Sequence, residues 1–505
     1  MIQRIATFVV GLVLLAHPLA TSAQIGDLPR STPEKEGIAS ERIDNMIRAL
    51  MSLEKTEIHS VMIARHGKII TEVFPAPFRP EYGHTLYSCS KTFMAAAVGK
   101  AIEENRLRLE DRAACFFPEM LPGQISDDLA RITIRDLLTM QAGITPDWEM
   151  RNNCDNWLES YFAKPVTAPG SKFQYDSMCS YVLSAILQRV TGLTTLEYLN
   201  DRLFRHMHIT DVAWEKSPEG FSTGGWGLHI QSESMVKFGL LLLNKGMWQG
   251  KRLLPQEWVE QMMTPQADTG GEGYGYQMWM CRQHPGAVRA DGAFGQYILV
   301  IPSHDMVVVL TEATLLDGNT QRDLVFELLG SISPERRSIG DPGRPTHREY
   351  ALPCVPGKRS GKLVRSLLNH SFKLQDNKFG WKEISFATRN PVLQMHITPQ
   401  SGEAFTIEFG YKQWVETTHK AYPPYSISAR NRFAGIEKKS IVGGSYACPT
   451  GSTLRLKAHW INWISSLDIL IRTAGDTIRL EVAENCSSQP SLIIEGLRSD
   501  TPQDK

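Results

Sequence analysis

The sequence predicts an α+β chain that ends in a separate all-β region, and three observations carry that reading. Helical and strand patterns mix from residue 24 to about 332. A stretch rich in proline, glycine and basic residues then interrupts the periodicity over 333–362, which is the composition of a linker. From 363 onward apolar and polar residues alternate, as in Phe405-Thr406-Ile407-Glu408-Phe409, and a small all-β accessory domain is expected over 363–505. At roughly 150 residues per domain the chain has room for two or three proper cores.

In chain order, residues 1–23 read as a secretory signal peptide. Arg4 gives the positive start, Ile5 to Ala16 the apolar run, and Thr21-Ser22-Ala23 the small residues of a cleavage site. The run is too short to span a bilayer, and no later segment reaches about 18 uninterrupted apolar residues. The expected location is therefore exported, periplasmic or secreted. His59 to Ala64 and Lys68 to Phe74 flank Arg65-His66-Gly67, a hairpin signal. Phe93 to Ile102 is alanine-rich with apolar residues at helical spacing (93, 94, 97, 98, 101, 102). Val182 to Val190 repeats such a stripe, and Gly192 is a fitting stop. Tyr297 to Ile301 and Met306 to Leu310 are unbroken apolar runs around a turn, as expected for two buried central strands. Leu467 to Ile471 and Thr477 to Val482 bracket Ala474-Gly475-Asp476 in the all-β region.

Composition removes several function classes. Lys and Arg number 54, and so do Asp and Glu, so the formal charge is zero. A nucleic-acid binder needs a basic face to displace phosphate counterions, and an anionic-membrane binder needs a similar one. Neither partner is expected, and the sequence leaves oligomeric state open. The eight cysteines stand no closer than 25 residues apart, so paired zinc ligands are absent, as is HExxH. Export permits disulfides, and Cys448 with Cys486 is the one pairing worth naming. For most of the eight, buried free thiols are the expectation.

Serine chemistry stands out, with two signatures in competition. Gly220-Phe221-Ser222-Thr223-Gly224 matches the GxSxG elbow, which needs a strand before it and a helix after it. Here Ser217-Pro218-Glu219 precedes and Gly225-Trp226-Gly227 follows, so a glycine-rich loop is the better reading. Ser88-Cys89-Ser90-Lys91 is an SxxK, a pattern also made by Ser52 to Lys55 and Ser234 to Lys237. Only Ser88 opens the alanine-rich helix, which puts Lys91 one turn away on the same face, near free N–H groups and the positive dipole end. The other two pairs are read as solvated side chains. A lysine activates a serine once burial or a neighbouring cation brings its pKa from about 10.4 towards neutrality.

Two further segments complete a site. Pro169 to Ser177 offers Tyr175-Asp176-Ser177 after a Pro-Gly turn, with a phenol able to act as base and then acid. Arg289-Ala290-Asp291-Gly292-Ala293 leads into the strand at 297, where glycine permits close approach and a free N–H near Ala293 completes an oxyanion hole. Cys89 points about 100° from Ser88 on a helix and is read as a small buried filler. Trp226, Tyr276 and Trp279 are either pocket walls or core.

Together these segments resemble the serine β-lactamase-related superfamily: class C β-lactamases, D-alanyl-D-alanine carboxypeptidases, esterases and 6-aminohexanoate-dimer hydrolases. The likeness covers about 30 to 332 and includes Ile132 to Gly143, Gly224 to Leu228, Trp248 to Pro255 and Tyr274-Gly275-Tyr276. It implies an antiparallel sheet flanked by helices, with a helical subdomain carrying Tyr175. It implies Ser88 as nucleophile, Lys91 as activator and Tyr175 as proton carrier, with an oxyanion hole from the N–H groups of Ser88 and Ala293. Ser177 and Gly292 join Ala293 as substrate-binding residues, and no metal or organic cofactor is required. Two departures matter. Ser177 stands where β-lactamases have asparagine, and Ala290 where they and the carboxypeptidases have a cation for the substrate carboxylate. The resemblance therefore points to an ester or amide hydrolase near the 6-aminohexanoate-dimer hydrolase and esterase branch. A β-lactamase or D-Ala-D-Ala carboxypeptidase is the alternative, and a non-catalytic binding or sensing protein is a second.

Overall fold

A computed structural model describes residues 28–499 apart from 333–337, 339–348, 360–361, 369, 426 and 428. The leader and most of the 333–362 segment lie outside the described residues. The hairpin signal becomes β1 (Thr56–Arg65) and β2 (Lys68–Val73), paired antiparallel. Trp279–Met280, Val288–Gly292, Gln296–Ile301 and Met306–Thr314 form β3 to β6. These six strands make one antiparallel sheet in the order β2-β1-β6-β5-β4-β3.

The unbroken apolar runs of β5 and β6 follow from their central place, because both faces of the sheet are covered. Ile298, Val300, Val307 and Val309 face the larger core. Leu299, Ile301, Val308 and Leu310 face a second core shared with α1 (Ser40–Met51) and with the helix Asn319–Gly330. On the first face lies α2 (Ser90–Glu103), buried on nearly every side. Phe93 stacks on Phe238 at 3.8 Å between ring centroids. Gly99 of α2 touches Trp258, whose Nε1 donates to Ala95 O at 3.1 Å. A helix apolar all round has to be interior, and this one holds the floor of the cleft. Behind it runs α3 (Ser177–Thr191), capped by Asp176; Gly192 closes it in the left-handed region, the stop that the sequence predicts.

The helix Ser232–Leu243 corrects one expectation. Ser234 and Lys237 are buried rather than solvated, and Lys237 Nζ donates to His208 O at 3.2 Å. Gly239 explains why: a side chain there would strike Val307, so the helix lies flat on the sheet. Ser52 and Lys55 are exposed, as expected.

After a short helix (Lys362–Leu367) the C-terminal part forms a ten-stranded sheet between Ser371 and Ser499. Its members are β7 (Ser371–Leu374), β8 (Trp381–Arg389), β9 (Val392–Pro399), β10 (Phe405–Tyr411) and β11 (Val415–His419). Next come β12 (Ser440–Ala447), β13 (Leu454–Trp460), β14 (Ser466–Ala474), β15 (Thr477–Glu484) and β16 (Leu492–Ser499). The order β10-β9-β8-β7-β16-β15-β14-β13-β12-β11 is closed into a barrel by parallel pairing of β10 with β12. Closure covers the edge of β10 and leaves β11 paired with β12 alone; Gly444 permits it, since a side chain there would meet Glu408 O. Alternate residues such as Ile478, Leu480 and Val482 fill the interior.

All eight cysteines are free, so the pairing of Cys448 with Cys486 is not made. Cys448 is buried at the end of β12, where its backbone pairs with Lys358, while Cys486 packs beside Tyr425. Among the described residues no helix is long and apolar enough to cross a membrane.

Candidate active site

Ser88 lies in a tight turn (Tyr87–Cys89) that runs into α2, so it precedes the helix rather than opening it. Tyr87 adopts φ +46, a left-handed conformation that costs a side chain steric energy and aims the next residue into the cleft. The one-turn spacing places Lys91 Nζ 2.9 Å from Ser88 Oγ. Lys91 is 1% exposed. Its ammonium group also lies 2.8 Å from Ser177 Oγ and 2.7 Å from Gly225 O. Burial lowers its pKa to about 7; Asp176 pulls upward and Arg151 pushes further down.

Gly225 belongs to the GxSxG-like loop. Ser222 itself is buried, with its backbone paired to Lys216. The adjoining glycines have a packing reason: a side chain on Gly224 would strike Ser180 O, and one on Gly225 would strike Ser177 O. The loop therefore presses its backbone on α3 and turns a carbonyl to Lys91. That carbonyl is a site group the sequence reading missed. A row of glycines beside a tryptophan was the available signal.

Tyr175 stands just before α3, where the Asp176 cap starts the helix by accepting from Met178 N at 2.9 Å. It lines the cleft together with Ser88, and Lys91 Nζ lies 4.8 Å from its ring centroid. Trp279 packs against the ring at 5.6 Å between centroids. Burial raises the Tyr175 pKa well above its ordinary value, with the Ser88 contact pulling the other way, so the group is a phenol at neutral pH. Burial also raises Asp176 to about 6.

Gly292 closes β4 against the nucleophile turn, where a side chain would meet Leu86 O. Ala293 follows it and lines the cleft with Ser88 and Tyr175. The sequence-predicted residues Ser88, Lys91, Tyr175, Ser177, Gly292 and Ala293 are thus brought together. Ala290, at the position of the missing cation, is a buried core residue. Its neighbours form a closed ion-pair group instead. Arg289 holds Asp291 at 2.8 Å and Glu272 at 2.6 Å, and Arg322 lies 3.6 Å from Asp291. Cys89 is a buried filler, donating Sγ–H to Gln296 O at 3.1 Å. Trp226 and Trp279 line the cleft, whereas Tyr276 is core, with its hydroxyl accepting from Arg135.

The cleft encloses about 560 Å³, and beside Ser88 a smaller cavity of about 60 Å³ continues on the side of Ser177. Five of its lining residues were not found from sequence: Tyr87 beside Ser88, Trp148 and Arg151 at the one-turn helix Met150–Asn153, and Ile427 and Arg432 from the segment between β11 and β12. That barrel segment is tied down on the catalytic side. Arg430 N donates to Arg151 O at 2.8 Å, Lys216 N to Ala434 O at 2.8 Å, and Arg432 pairs with the buried Glu215. Contacts made by residues more than two hundred positions apart leave no mark on local patterning.

A nucleophilic serine beside a buried amine and a phenol, in a cleft between an antiparallel sheet and a helical layer, defines the serine hydrolases that work through an acyl-enzyme. Comparison with known proteins narrows the class. The Beta-lactamase family model matches residues 43–327, and the chain belongs to that family. A 6-aminohexanoate-dimer hydrolase of Paenarthrobacter ureafaciens is 27% identical over 289 residues, covering 51% of this chain and 73% of that protein. A putative D-alanyl-D-alanine carboxypeptidase of Escherichia coli K12 is 26% identical over 243 residues, covering 42% of this chain and 56% of its own length. Among solved structures, a putative 6-aminohexanoate-dimer hydrolase from Bacillus anthracis superposes with a TM-score of 0.52. It is 19% identical and spans 60% of this chain and 86% of that one, a likeness of fold.

Proposed function

We propose that the protein is an exported serine hydrolase that cleaves an ester or amide bond through an acyl-enzyme on Ser88. The observation that carries this is the buried Lys91 amine 2.9 Å from Ser88 Oγ. A neutral amine has two N–H donors and one lone pair. Gly225 O can only accept, and Ser177 Oγ accepts the second N–H, so the lone pair is left for the Ser88 hydroxyl.

In this reading Lys91 takes the Ser88 proton as Oγ bonds to the substrate carbonyl carbon. The N–H groups of Ser88 and Ala293 stabilise the resulting oxyanion. Tyr175 gives its proton to the departing alcohol or amine as that bond breaks, and the Lys91 ammonium reprotonates the phenolate. Water then attacks the acyl-enzyme with Lys91 again as base, the acid leaves, and the proton returns to Ser88 Oγ. The raised pKa of Tyr175 and the lowered pKa of Lys91 support the acid role for the first and the base role for the second.

Two features favour an ester or small-amide substrate over a β-lactam or D-Ala-D-Ala peptide. Ala290 offers no cation, and the adjacent Arg289 is occupied by Asp291 and Glu272. The relative with the higher identity is named for the 6-aminohexanoate dimer, itself an amide. Ser88→Ala and Ser222→Ala, compared on ester hydrolysis, test the assignment. Loss with the first alone supports it; activity that survives the first and not the second overturns it. Labelling of Ser88 by a fluorophosphonate excludes a non-catalytic scaffold. Export rests on residues 1–23, and N-terminal sequencing of the protein from the periplasm or medium should begin near Gln24.

A further inference from the structure

One buried cation near Ser88 has no carboxylate in direct contact among the described residues: Asp176, Glu149 and Glu215 act on it only from beyond ion-pair distance. Arg151 is 4% exposed, yet no carboxylate lies within ion-pair distance of it among the described residues. Its Nε donates to Trp148 O at 3.2 Å. Its guanidinium stacks between two indoles, 4.5 Å from the Trp148 ring centroid and 4.9 Å from that of Trp226. Among the described residues the terminal nitrogens have no hydrogen-bond acceptor, although the group lines both the cleft and the small cavity beside Ser88. The other arginines of the cleft differ: Arg289 and Arg322 are held by Asp291, and Arg432 by Glu215.

Burying a charge is costly unless an opposite charge or hydrogen-bond acceptors offset it. Indole faces supply part of that, but a planar fork of N–H donors is best matched by a carboxylate. The small cavity includes Ser88 and Ser177 but neither Tyr175 nor Trp279. A group in it therefore lies away from the phenol that protonates the leaving group, on the acyl side of the scissile bond. Ile427 and Arg432 of the barrel close the same space, so its occupant must be short.

We propose that Arg151 is a specificity residue that binds a carboxylate on the acyl portion of the substrate, so that the enzyme prefers acyl groups derived from short dicarboxylic acids whose second carboxylate is free. The inference rests on the serine-hydrolase reading, and the experiment separates the two. The 4-nitroanilide of succinic acid, with a free carboxylate, is compared with that of 4-methylpentanoic acid, which has an isopropyl group in its place. A charge-assisted hydrogen bond corresponds to a preference of roughly 10- to 100-fold in kcat/KM for the succinyl compound. Protection of Ser88 from fluorophosphonate labelling by each compound reads the same preference where turnover is slow.

Arg151→Gln should bring the ratio to about one, and Arg151→Lys should keep part of it. The ratio is the readout because Arg151 also bears on Lys91, which shifts activity on both compounds together. A wild-type ratio near one overturns the carboxylate site and leaves the hydrolase reading standing, provided that Ser88 labels. A preference that survives Arg151→Gln removes Arg151 from the role. Should Arg151→Gln fail to fold, the wild-type ratio and Arg151→Lys decide. If Ser88 does not label at all, the hydrolase reading falls and takes this inference with it.

Discussion

Lys91 and Ser177 are held 2.8 Å apart, amine to hydroxyl, across the seam between α2 and α3. The contact uses one N–H of the lysine and so directs its lone pair. Ser177→Ala should lower kcat by about tenfold, the value of one net hydrogen bond of 1–1.5 kcal/mol. Fluorophosphonate labelling of Ser88 should persist, more slowly. Unchanged kcat would show that Ser177 does not orient the base.

The pH profile follows from the same amine. With a pKa of about 7, Lys91 is a base only when deprotonated, so kcat/KM should rise with pH through about 7 and level off above it. Lys91→Arg should be inactive at every pH, because a guanidinium keeps its proton. A profile flat from pH 5 to 9 would remove Lys91 as the base.

Activity and stability should trade against each other at this residue. Lys91 titrates near 7 in the fold and near 10.5 when unfolded. The unfolded chain therefore binds the extra proton between those values, and stability rises with pH across that window. The cost of the buried ammonium is greatest below pH 7, at most about 5 kcal/mol, and fades towards 10.5. Lys91→Met should lose activity, and its stability relative to wild type should be highest at pH 6 and fall as pH rises to 10. Urea melts at several pH values measure the gap; a gap independent of pH would contradict the depressed pKa.

The junction with the barrel depends on a buried ion pair. Arg432→Met leaves the 2% exposed Glu215 without its cation and should destabilise by roughly 3–5 kcal/mol. Adding Glu215→Gln should recover much of that loss, since the unpaired charge is what costs. Additive losses in the double-mutant cycle would argue against direct coupling.

Histidines at that junction predict acid sensitivity. His59 Nδ1 lies 2.9 Å from His84 Nε2, and His459 lies 3.5 Å from Glu57, which also binds Lys457, Ser466 and Asn485 of the barrel. Burial lowers the pKa of His84 and His459 to about 4 and holds that of His59 well below its usual value. Below about 6.5 the unfolded chain takes up protons that the fold refuses, so stability is full above that value and declines as pH falls towards 4. Tm should drop over this range, and His59→Phe should flatten the drop.

Much of the catalytic half was legible because its signals are local. The β5–β6 runs announce a strand pair covered on both faces, and the step from Ser88 to Lys91 is one helical turn whatever surrounds it. The buried helix Ser232–Leu243 was misjudged at Ser234 and Lys237 because polar letters say nothing of what later packs on them.

Helix and strand periods, turn residues and one-turn spacings are properties of a few neighbouring residues, and for these the letters were sufficient. The barrel's closure through Gly444, the carbonyl of Gly225 turned on Lys91, and the meeting of Arg151 with Ile427 and Arg432 beside Ser88 were not readable in this way. Each depends on which distant surfaces bury each other, and that choice belongs to the folded chain as a whole.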